Sequence, residues 1–374
     1  MTTLASRRSG RGLRSTAVSL AERLLTPHGM DRYLELVNPM LVRNEVRGEV
    51  VDVRRQTPDT VTLTLSTSRS WRGFTAGQYV RVSVDIDGVR RTRCYSPTTS
   101  QHARGGRLEL TVKADPQGLV SRHLVHNARR GMMLGLSAPD GAFVLPEQRP
   151  RRLLLISGGS GITPVLSMLR TLHDERYDGE LVFLHYANTA DDVLYRADLH
   201  ALGNSAHTGL RGTRISYGYT HAEDGADLHG FFEPAHLDAV APWWRDAETY
   251  LCGPPGLMDG VRDAYAAAGL SDGLHTEVFT PPELKIDTSE ATGQVRFAHS
   301  GVDTANSGKP LLEQAEEAGL RPEHGCRMGI CFSCTKVKTS GCVRNALTGE
   351  LSAEEDEEIQ LCICVPVGDV DINC

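Results

Sequence analysis

The chain has 374 residues, 40% hydrophobic and 23% charged, a composition that excludes wholesale disorder and predicts two or three globular domains. Its formal charge of −7 is uneven: residues 1–149 carry 23 basic and 13 acidic side chains, and residues 150–374 carry 17 and 34. The basic part suits an anionic ligand such as a dinucleotide pyrophosphate, and the acidic part suits a basic protein partner. The sequence has no basic patch interleaved with aromatic residues, so it does not predict nucleic-acid binding.

Residues 1–45 form the first predicted unit, an Arg-rich tail followed by an amphipathic helical segment over 16–45. No apolar run reaches the about 18 residues of a transmembrane helix, and no apolar core of a signal peptide follows the arginines. The sequence predicts a cytoplasmic protein without a membrane span. The helical segment either caps the next domain or contacts the inner face of the membrane peripherally.

Residues 46–149 contain short runs of alternating apolar and polar residues between Gly, Pro and Asp, a pattern typical of an antiparallel barrel or sandwich. The R-C-Y-S run at 93–96 lies on such a strand, where Arg93 and Tyr95 share one face. The arginine can pair with a phosphate and the tyrosine can stack on a flavin ring. Ser96, at the bend before a proline, is positioned to donate a hydrogen bond to the flavin N5 edge.

A second flavin signal comes about twenty residues later, where Gly118 and Ser121 open a predicted helix. Free N–H groups at a helix start bind pyrophosphate. The two motifs resemble those of the ferredoxin–NADP⁺ reductase superfamily. The resemblance implies that FAD, with FMN as the alternative, is held in a β-barrel domain by Arg93, Tyr95, Ser96, Gly118 and Ser121.

Residues 150–280 alternate buried apolar runs with helix-length segments, which predicts an α/β domain with a parallel sheet. A glycine-rich loop follows the first strand and opens a helix, the arrangement that lets backbone N–H groups approach a phosphate. Its ending resembles the nucleotide loop of the same superfamily. The predicted nicotinamide-nucleotide contacts in this loop are Gly158, Gly159, Gly161 and Thr163.

A C-G-P-P run at 252–255 follows a later strand and also resembles the superfamily, in which the cysteine lies near the reactive carbon of the nicotinamide. The resemblance implies contacts from Cys252, Gly253 and Pro254. It also implies that Glu277 lies beside the nicotinamide–flavin contact and that Phe279 shields the flavin. Ser96, Cys252 and Glu277 are therefore the predicted catalytic residues.

The choice between NADPH and NADH depends on a site for the 2′-phosphate. Thr220 and His221 occupy the position where relatives often carry a Ser/Thr-Arg pair, and Arg211 and Arg214 lie nearby. These residues favour NADPH slightly as the electron donor, and NADH remains the alternative donor.

A Pro-rich linker at 281–293 precedes a final unit, 294–374, that is too small to bury a large core and carries most of the nine cysteines. Cys326, Cys331 and Cys334 have the C-x4-C-x2-C spacing of plant-type [2Fe–2S] ferredoxins. Cys362 and Cys364 are both candidates for the fourth ligand, and a proline four residues after Cys362 favours it by resemblance. Structural zinc is the alternative, although zinc sites usually pair two tight Cys knuckles.

The wider resemblance of 294–374 to plant-type ferredoxins implies a β-grasp (α+β) fold. The order of flavin, nicotinamide and ferredoxin domains resembles the reductase components of Rieske-type oxygenases and hydroxylases. A short Y-L-E-L-V-N-P run at 33–39 resembles the NADPH-dependent electron-transfer partners of membrane acyl-CoA desaturases. The sequence thus predicts an oxidoreductase passing electrons from NAD(P)H through FAD and [2Fe–2S] to a desaturase. The alternatives are a soluble oxygenase, hydroxylase or cytochrome P450 as acceptor, and a non-catalytic redox sensor or zinc-stabilised binding protein.

Overall fold

The structure is a computed structural model that describes residues 40, 45–203, 212–222, 225–279 and 291–374. Most of the predicted helical segment 16–45, the Y-L-E-L-V-N-P run and most of the linker 281–293 lie outside the described residues, as does Arg211. Within the described ranges the strands form three sheets, each of six strands.

The first sheet is antiparallel, with strand order β4-β3-β6-β1-β2-β5. Alternation drives its formation, as in β3, where Val80, Val82 and Val84 are buried in the barrel core and the residues between them are not. The sheet curls until its two edges meet, because Pro97 after β4 bridges to Leu110 of β5. The strands are β1 Val46–Thr57, β2 Thr60–Thr67, β3 Val80–Ile86, β4 Val89–Tyr95, β5 Arg107–Lys113 and β6 Met133–Leu136, and one helix, α1 Leu119–Asn127, packs on their core.

The second sheet is parallel, with strand order β10-β9-β8-β7-β11-β12. Its central strands are nearly continuous apolar runs because helices cover both faces. Helices α2 and α3 pack on one face, and α4 and α5 pack on the other. The elements are β7 Arg152–Gly158, α2 Ile162–Asp174, β8 Glu180–Ala187, α3 Arg196–Gly203, β9 Thr213–Tyr219, β10 Leu228–His229, α4 Pro234–Val240, β11 Glu248–Cys252, α5 Pro255–Ala268 and β12 Leu274–Glu277.

The third sheet is mixed, with β13 parallel to β18 and the other pairings antiparallel. Its core contains Phe297, Leu311 and Ile372 and is separate from the barrel core and from the clusters on the two faces of the parallel sheet. A loop of irregular backbone between α6 and β15 carries three of the cysteines. The elements are β13 Gln294–Phe297, β14 Val302–Ala305, α6 Leu311–Glu317, β15 Thr335–Asn345, β16 Leu351–Ser352, β17 Glu357–Gln360 and β18 Cys364–Ile372.

Tyr195 joins the first two sheets. It lies in the loop after β8, has a left-handed backbone with φ 58°, and inserts its buried ring between the Arg54 and Arg170 guanidinium groups, which lie 5.3 and 5.0 Å from the ring centroid. Its hydroxyl meets three threonine hydroxyls of the barrel, those of Thr62, Thr98 and Thr111. This buried hydrogen-bond network holds the barrel against the parallel sheet, and a cleft lies between the two.

The antiparallel and parallel sheets that the sequence predicts are thus confirmed. Helix α1 begins at Leu119, directly after Gly118, where the sequence predicts that a helix opens. The edge strands β10 and β12, with two and four residues, have no counterpart in the prediction because such short pairings leave no periodic signal.

Candidate functional site

The R-C-Y-S run ends β4 beside the interdomain cleft. In the antiparallel register Arg93 pairs with Val82 and Tyr95 pairs with Val80, so both side chains lie on the barrel-core face and Cys94 lies on the other. Tyr95 packs against that core, and burial raises the pKa of its phenol, which keeps the ring neutral. The structure therefore gives the strand the alternation that the sequence predicts.

Ser96, Cys252 and Glu277 come from three elements and meet where the barrel adjoins the parallel sheet. Cys252 and Glu277 are register partners at the carboxyl ends of β11 and β12. The Ser96 hydroxyl donates a hydrogen bond to the Glu277 carboxyl, with 3.5 Å between Oγ and Oε2. Cys252 is fully buried, and burial, reinforced by the Glu277 charge, raises the pKa of its thiol. The structure thus brings the three predicted catalytic residues together.

Glu277 has an unusual protonation state. Burial raises the pKa of its carboxyl from 4.5 to about 8, and the hydrogen bond from Ser96 lowers it only in part. At pH 7 the carboxyl is therefore mostly protonated and can donate a hydrogen bond. Because the folded protein holds this proton more tightly than the unfolded chain, stability falls as the pH rises from about 4.5 to about 8 and the loss is complete above that.

The Glu277→Gln variant, which is neutral at every pH, is expected to remove this dependence. Between about pH 5 and pH 9 the wild type should lose about 2–4 kcal/mol of unfolding free energy relative to the variant. Urea unfolding at a series of pH values measures the difference, and Glu147→Gln, at an exposed carboxyl, is the matched control. Parallel pH curves for wild type and Glu277→Gln would contradict the shifted pKa.

Helix α1 presents its N-terminus without a side-chain cap. Gly118 is the N-cap residue, and the Ser121 hydroxyl accepts from the Asp115 N–H at 3.1 Å and donates to the Gly118 carbonyl at 3.3 Å. A Cβ on Gly118 would lie 2.4 Å from Ser121 Oγ and 2.8 Å from Asp115 Cβ, so any larger residue would force these side chains to move. The uncapped N–H groups give the predicted pyrophosphate site its donors.

The glycine loop after β7 lies directly against the turn after β11. A Cβ on Gly161 would lie 2.2 Å from the Cys252 carbonyl oxygen, and one on Gly158 would lie 2.7 Å from Pro254 Cδ. Gly253 lies equally close, since its Cβ would be 3.1 Å from the Gly158 nitrogen. The structure brings both predicted nucleotide motifs to the carboxyl edge of neighbouring parallel strands, the edge at which ligands bind in open α/β sheets.

Three further residues of the predicted sites lie in or beside the same loops and strands. Thr163 is buried in the first turn of α2 and donates to the Ser160 carbonyl at 3.3 Å, which holds the loop against the helix. Gly159 has φ 52°, a left-handed conformation that favours glycine. Phe279 follows β12 with 37% of its surface exposed, two residues beyond Glu277.

The four predicted cluster ligands form two pairs. The Cys326 thiol donates to Cys331, and the Cys362 thiol donates to Cys334, which lowers the pKa of each accepting sulfur. Backbone N–H groups also point at sulfur, from Cys326 to Cys331 Sγ at 3.1 Å and from Met328 to Cys326 Sγ at 3.3 Å.

Cys364, the alternative to Cys362 as fourth ligand, starts β18 and is buried in the core of the third sheet. The described residues contain no cluster of three or more His, Cys, Asp or Glu side chains close enough to hold one metal ion. The cysteines therefore lie as two hydrogen-bonded pairs, and the charges of Cys331 and Cys326 also act on Cys334 and Cys362, so the two pairs adjoin each other.

The surroundings of β9 contain a cation that the sequence analysis missed. The Arg214 guanidinium pairs with Asp227 at 3.4 Å, and the Thr220 hydroxyl is bonded to His221 at 2.8 Å. Burial raises the pKa values of Tyr217 and Tyr219 at the end of β9, and Arg196, in the first turn of α3, lies close enough for its positive charge to oppose that rise. It is 24 residues earlier in the chain than Thr220, so no local motif marks it.

Comparisons with known proteins cover both larger domains. The Oxidoreductase FAD-binding domain family matches residues 48–145, and the Oxidoreductase NAD-binding domain family matches residues 155–263. An NADPH oxidoreductase of Mycobacterium tuberculosis is 38% identical over 94% of this chain and 90% of its own length. The chain belongs to the FAD- and NAD-binding oxidoreductases.

Other relatives extend the match. A glycine betaine monooxygenase reductase subunit of Pseudomonas aeruginosa is 30% identical over 80% of this chain and 87% of its own length. The solved structure of phthalate dioxygenase reductase shares the fold with a TM-score of 0.56 at 24% identity, covering 88% of this chain and 98% of that one. The protein is thus an NAD(P)H-dependent oxidoreductase with an FAD domain and an NAD domain. Among its described helices none has both the length and the apolarity needed to cross a bilayer.

Proposed function

We propose that this oxidoreductase is the reductase component of an oxygenase system and passes electrons from NADPH through FAD and a [2Fe–2S] cluster in residues 294–374 to a separate protein. The observation that carries the proposal is the pairing of Cys326 with Cys331 and of Cys334 with Cys362 beside the flavin strand. The flavin and cluster, when bound, convert the two electrons of a hydride into successive single electrons.

The cysteine arrangement fits a binuclear cluster better than zinc. In a [2Fe–2S] cluster each iron takes two thiolates, so four ligands fall into two pairs, as they do here. One tetrahedral zinc with Zn–S distances of about 2.3 Å would gather all four sulfurs around a single point. The N–H groups aimed at Cys326 and Cys331 stabilise negative sulfur. These observations support a β-grasp ferredoxin domain with Cys362 rather than Cys364 as the fourth ligand.

Each cofactor site has a defined set of residues in this proposal. Tyr95 stacks on the flavin ring, Arg93 and the α1 N-terminus hold its phosphates, and Phe279 shields its other side. The protonated Glu277 and Ser96 supply hydrogen bonds beside the reacting carbon, and the buried Cys252 excludes water there. The nucleotide backbone is held by the loops that contain Gly158, Gly159, Gly161, Thr163, Gly253 and Pro254.

An anaerobic titration tests the cofactor assignment. The purified full-length chain should contain FAD and about two irons and two sulfides per chain, as a [2Fe–2S] cluster requires. NADPH should bleach the flavin and generate the electron paramagnetic resonance signal of a reduced cluster. Flavin without iron would overturn the cluster proposal, and FMN in place of FAD would correct the flavin assignment.

Two acceptor classes are separated by reconstitution. The Pseudomonas relative is named for a monooxygenase system, which supports an oxygenase acceptor over the membrane desaturase that the 33–39 run suggests. We expect the NADPH-reduced protein to reduce a purified Rieske-type oxygenase component in stopped-flow mixing. Stimulation of acyl-CoA desaturation in membranes, without reduction of the oxygenase, would reverse this choice. We also propose a cytoplasmic location, which the free cysteines support.

NADPH is the proposed donor because Arg196 offers a cation near Tyr219, the residue before Thr220, whereas Arg214 is already paired with Asp227. Arg196→Ala is expected to raise the KM for NADPH by about tenfold, the loss of one charge-assisted hydrogen bond, and to leave the KM for NADH unchanged. Steady-state ferricyanide reduction with each donor measures both constants, and Arg214→Ala is the matched control. An equal change with both donors would argue against a 2′-phosphate contact.

A further inference from the structure

The loop that carries the cysteines lies on the outer face of the β3–β4 hairpin. Arg81 and Cys94 are register partners on this face, opposite to the face that carries Tyr95. The Cys94 thiol lies close enough to both Cys331 and Glu277 for their charges to act on it. The hairpin therefore has the flavin motif on one face and the cysteine loop on the other.

Two side chains of the hairpin bind the loop directly. The Arg81 guanidinium donates from Nη1 to the Cys331 carbonyl at 3.3 Å, and the Tyr79 hydroxyl lies 3.2 Å from the Ile330 carbonyl oxygen. The partners are about 250 residues apart in the chain, so these are contacts between domains. Both acceptors are backbone atoms, which means that the contacts fix the path of the loop and not one of its side chains.

Both donors are themselves held in place. The Arg81 backbone N–H donates to Ser137 Oγ at 2.9 Å, and the Tyr79 backbone bridges to Asp140. The Asp140 carboxyl also lies 3.3 Å from the Tyr79 hydroxyl, so the single hydroxyl proton is shared between Asp140 and the Ile330 carbonyl. A donor pair preorganised on a rigid strand costs little entropy when the loop docks.

We propose that Arg81 and Tyr79 are positioning residues that clamp the loop 325–334 onto the flavin hairpin and so set the path for electrons from flavin to cluster. The inference rests on the proposed function, in which one electron at a time leaves the reduced flavin and enters the cluster, with the flavin protons released to water. A guanidinium at the carbonyl of a cluster ligand also stabilises the additional negative charge of the reduced cluster, which raises its reduction potential.

Hydrogen exchange of the loop tests the clamp without requiring the cluster. Loss of one hydrogen bond to a charged group corresponds to about tenfold in the open population, so peptides spanning 322–335 should exchange about tenfold faster in Arg81→Ala. Tyr79→Phe, which keeps the ring, should give a smaller increase. The matched control is Arg90→Ala, because Arg90 is on the same hairpin and pairs with Asp85 at 4.0 Å. Unchanged exchange in both Arg81→Ala and Tyr79→Phe would overturn the clamp.

Two further measurements separate positioning from a general loss of structure. In the holoprotein, Arg81→Ala should keep NADPH–ferricyanide reduction, which draws electrons at the flavin, and should slow single-turnover reduction of the cluster. The cluster midpoint potential should fall in Arg81→Ala and recover in Arg81→Lys, which restores the charge. A full cluster with unchanged potential and unchanged reduction rate would overturn the electron-path role. A wild-type protein without any cluster would overturn the proposed function. The hydrogen-exchange experiment would still test whether Arg81 and Tyr79 hold the loop.

Discussion

Replacing Cys362 with serine is expected to remove the iron–sulfur signal and to lower NADPH–cytochrome c reduction to background, with ferricyanide reduction at the flavin retained. The reason is the pairing of Cys362 with Cys334, which leaves one iron with a single thiolate in the variant. Iron content, the electron paramagnetic resonance spectrum of the reduced protein and the two acceptor assays measure the effect. Because the proposed flavin and nucleotide sites lie in other domains, the variant should lose the cluster but keep flavin and nucleotide binding.

Cys364→Ser is the matched control, since the two cysteines are separated by one residue. Cys364 is buried in the core of the third sheet, which also contains Ile372. Within the described residues no other cysteine forms a hydrogen bond with its thiol. Serine there places a hydroxyl in an apolar core, which is expected to cost about 1–3 kcal/mol of unfolding free energy without loss of iron. A cluster that survives Cys362→Ser and disappears in Cys364→Ser would transfer the ligand role to Cys364.

The sequence predicts the cleft well because its motifs are local. The glycine loop at 158–161 and the C-G-P-P run both follow buried apolar strands, and the carboxyl ends of neighbouring parallel strands necessarily meet at one edge. The same holds for the face of β4, where strand alternation alone separates Tyr95 from Cys94. Each of these features depends on a few consecutive residues and the period of one element.

The features that the sequence does not reveal depend on partners from distant parts of the chain. The Tyr195 ring is held by Arg54 and Arg170, and neither arginine carries a motif. Arg196 and Arg81 look like ordinary surface arginines until the fold brings them beside β9 and the cysteine loop. The raised pKa of Glu277 similarly arises from burial, which periodicity cannot indicate for the last residue of a short edge strand.

Gly161→Ala is expected to damage both folding and nucleotide binding, and the cause is contact rather than backbone conformation. Gly161 has φ −63° and ψ −7°, values that alanine adopts without strain. Its added Cβ, however, would lie 2.2 Å from the Cys252 carbonyl oxygen and 2.5 Å from the carbonyl carbon, both backbone atoms. The loop and the turn must separate, which should cost about 1–3 kcal/mol of unfolding free energy.

Gly256→Ala distinguishes this close approach from a general effect of adding a methyl group. Gly256 is in the first turn of α5, close in sequence to the same turn, and its added Cβ would meet no heavy atom within 4 Å. Alanine there should be neutral or stabilise the helix by up to about 1 kcal/mol. Thermal unfolding and calorimetric titration with NADP⁺ compare the two variants. If Gly161→Ala matched Gly256→Ala in both measurements, the two loops would not need to touch, and the nucleotide site would depend on its side chains instead.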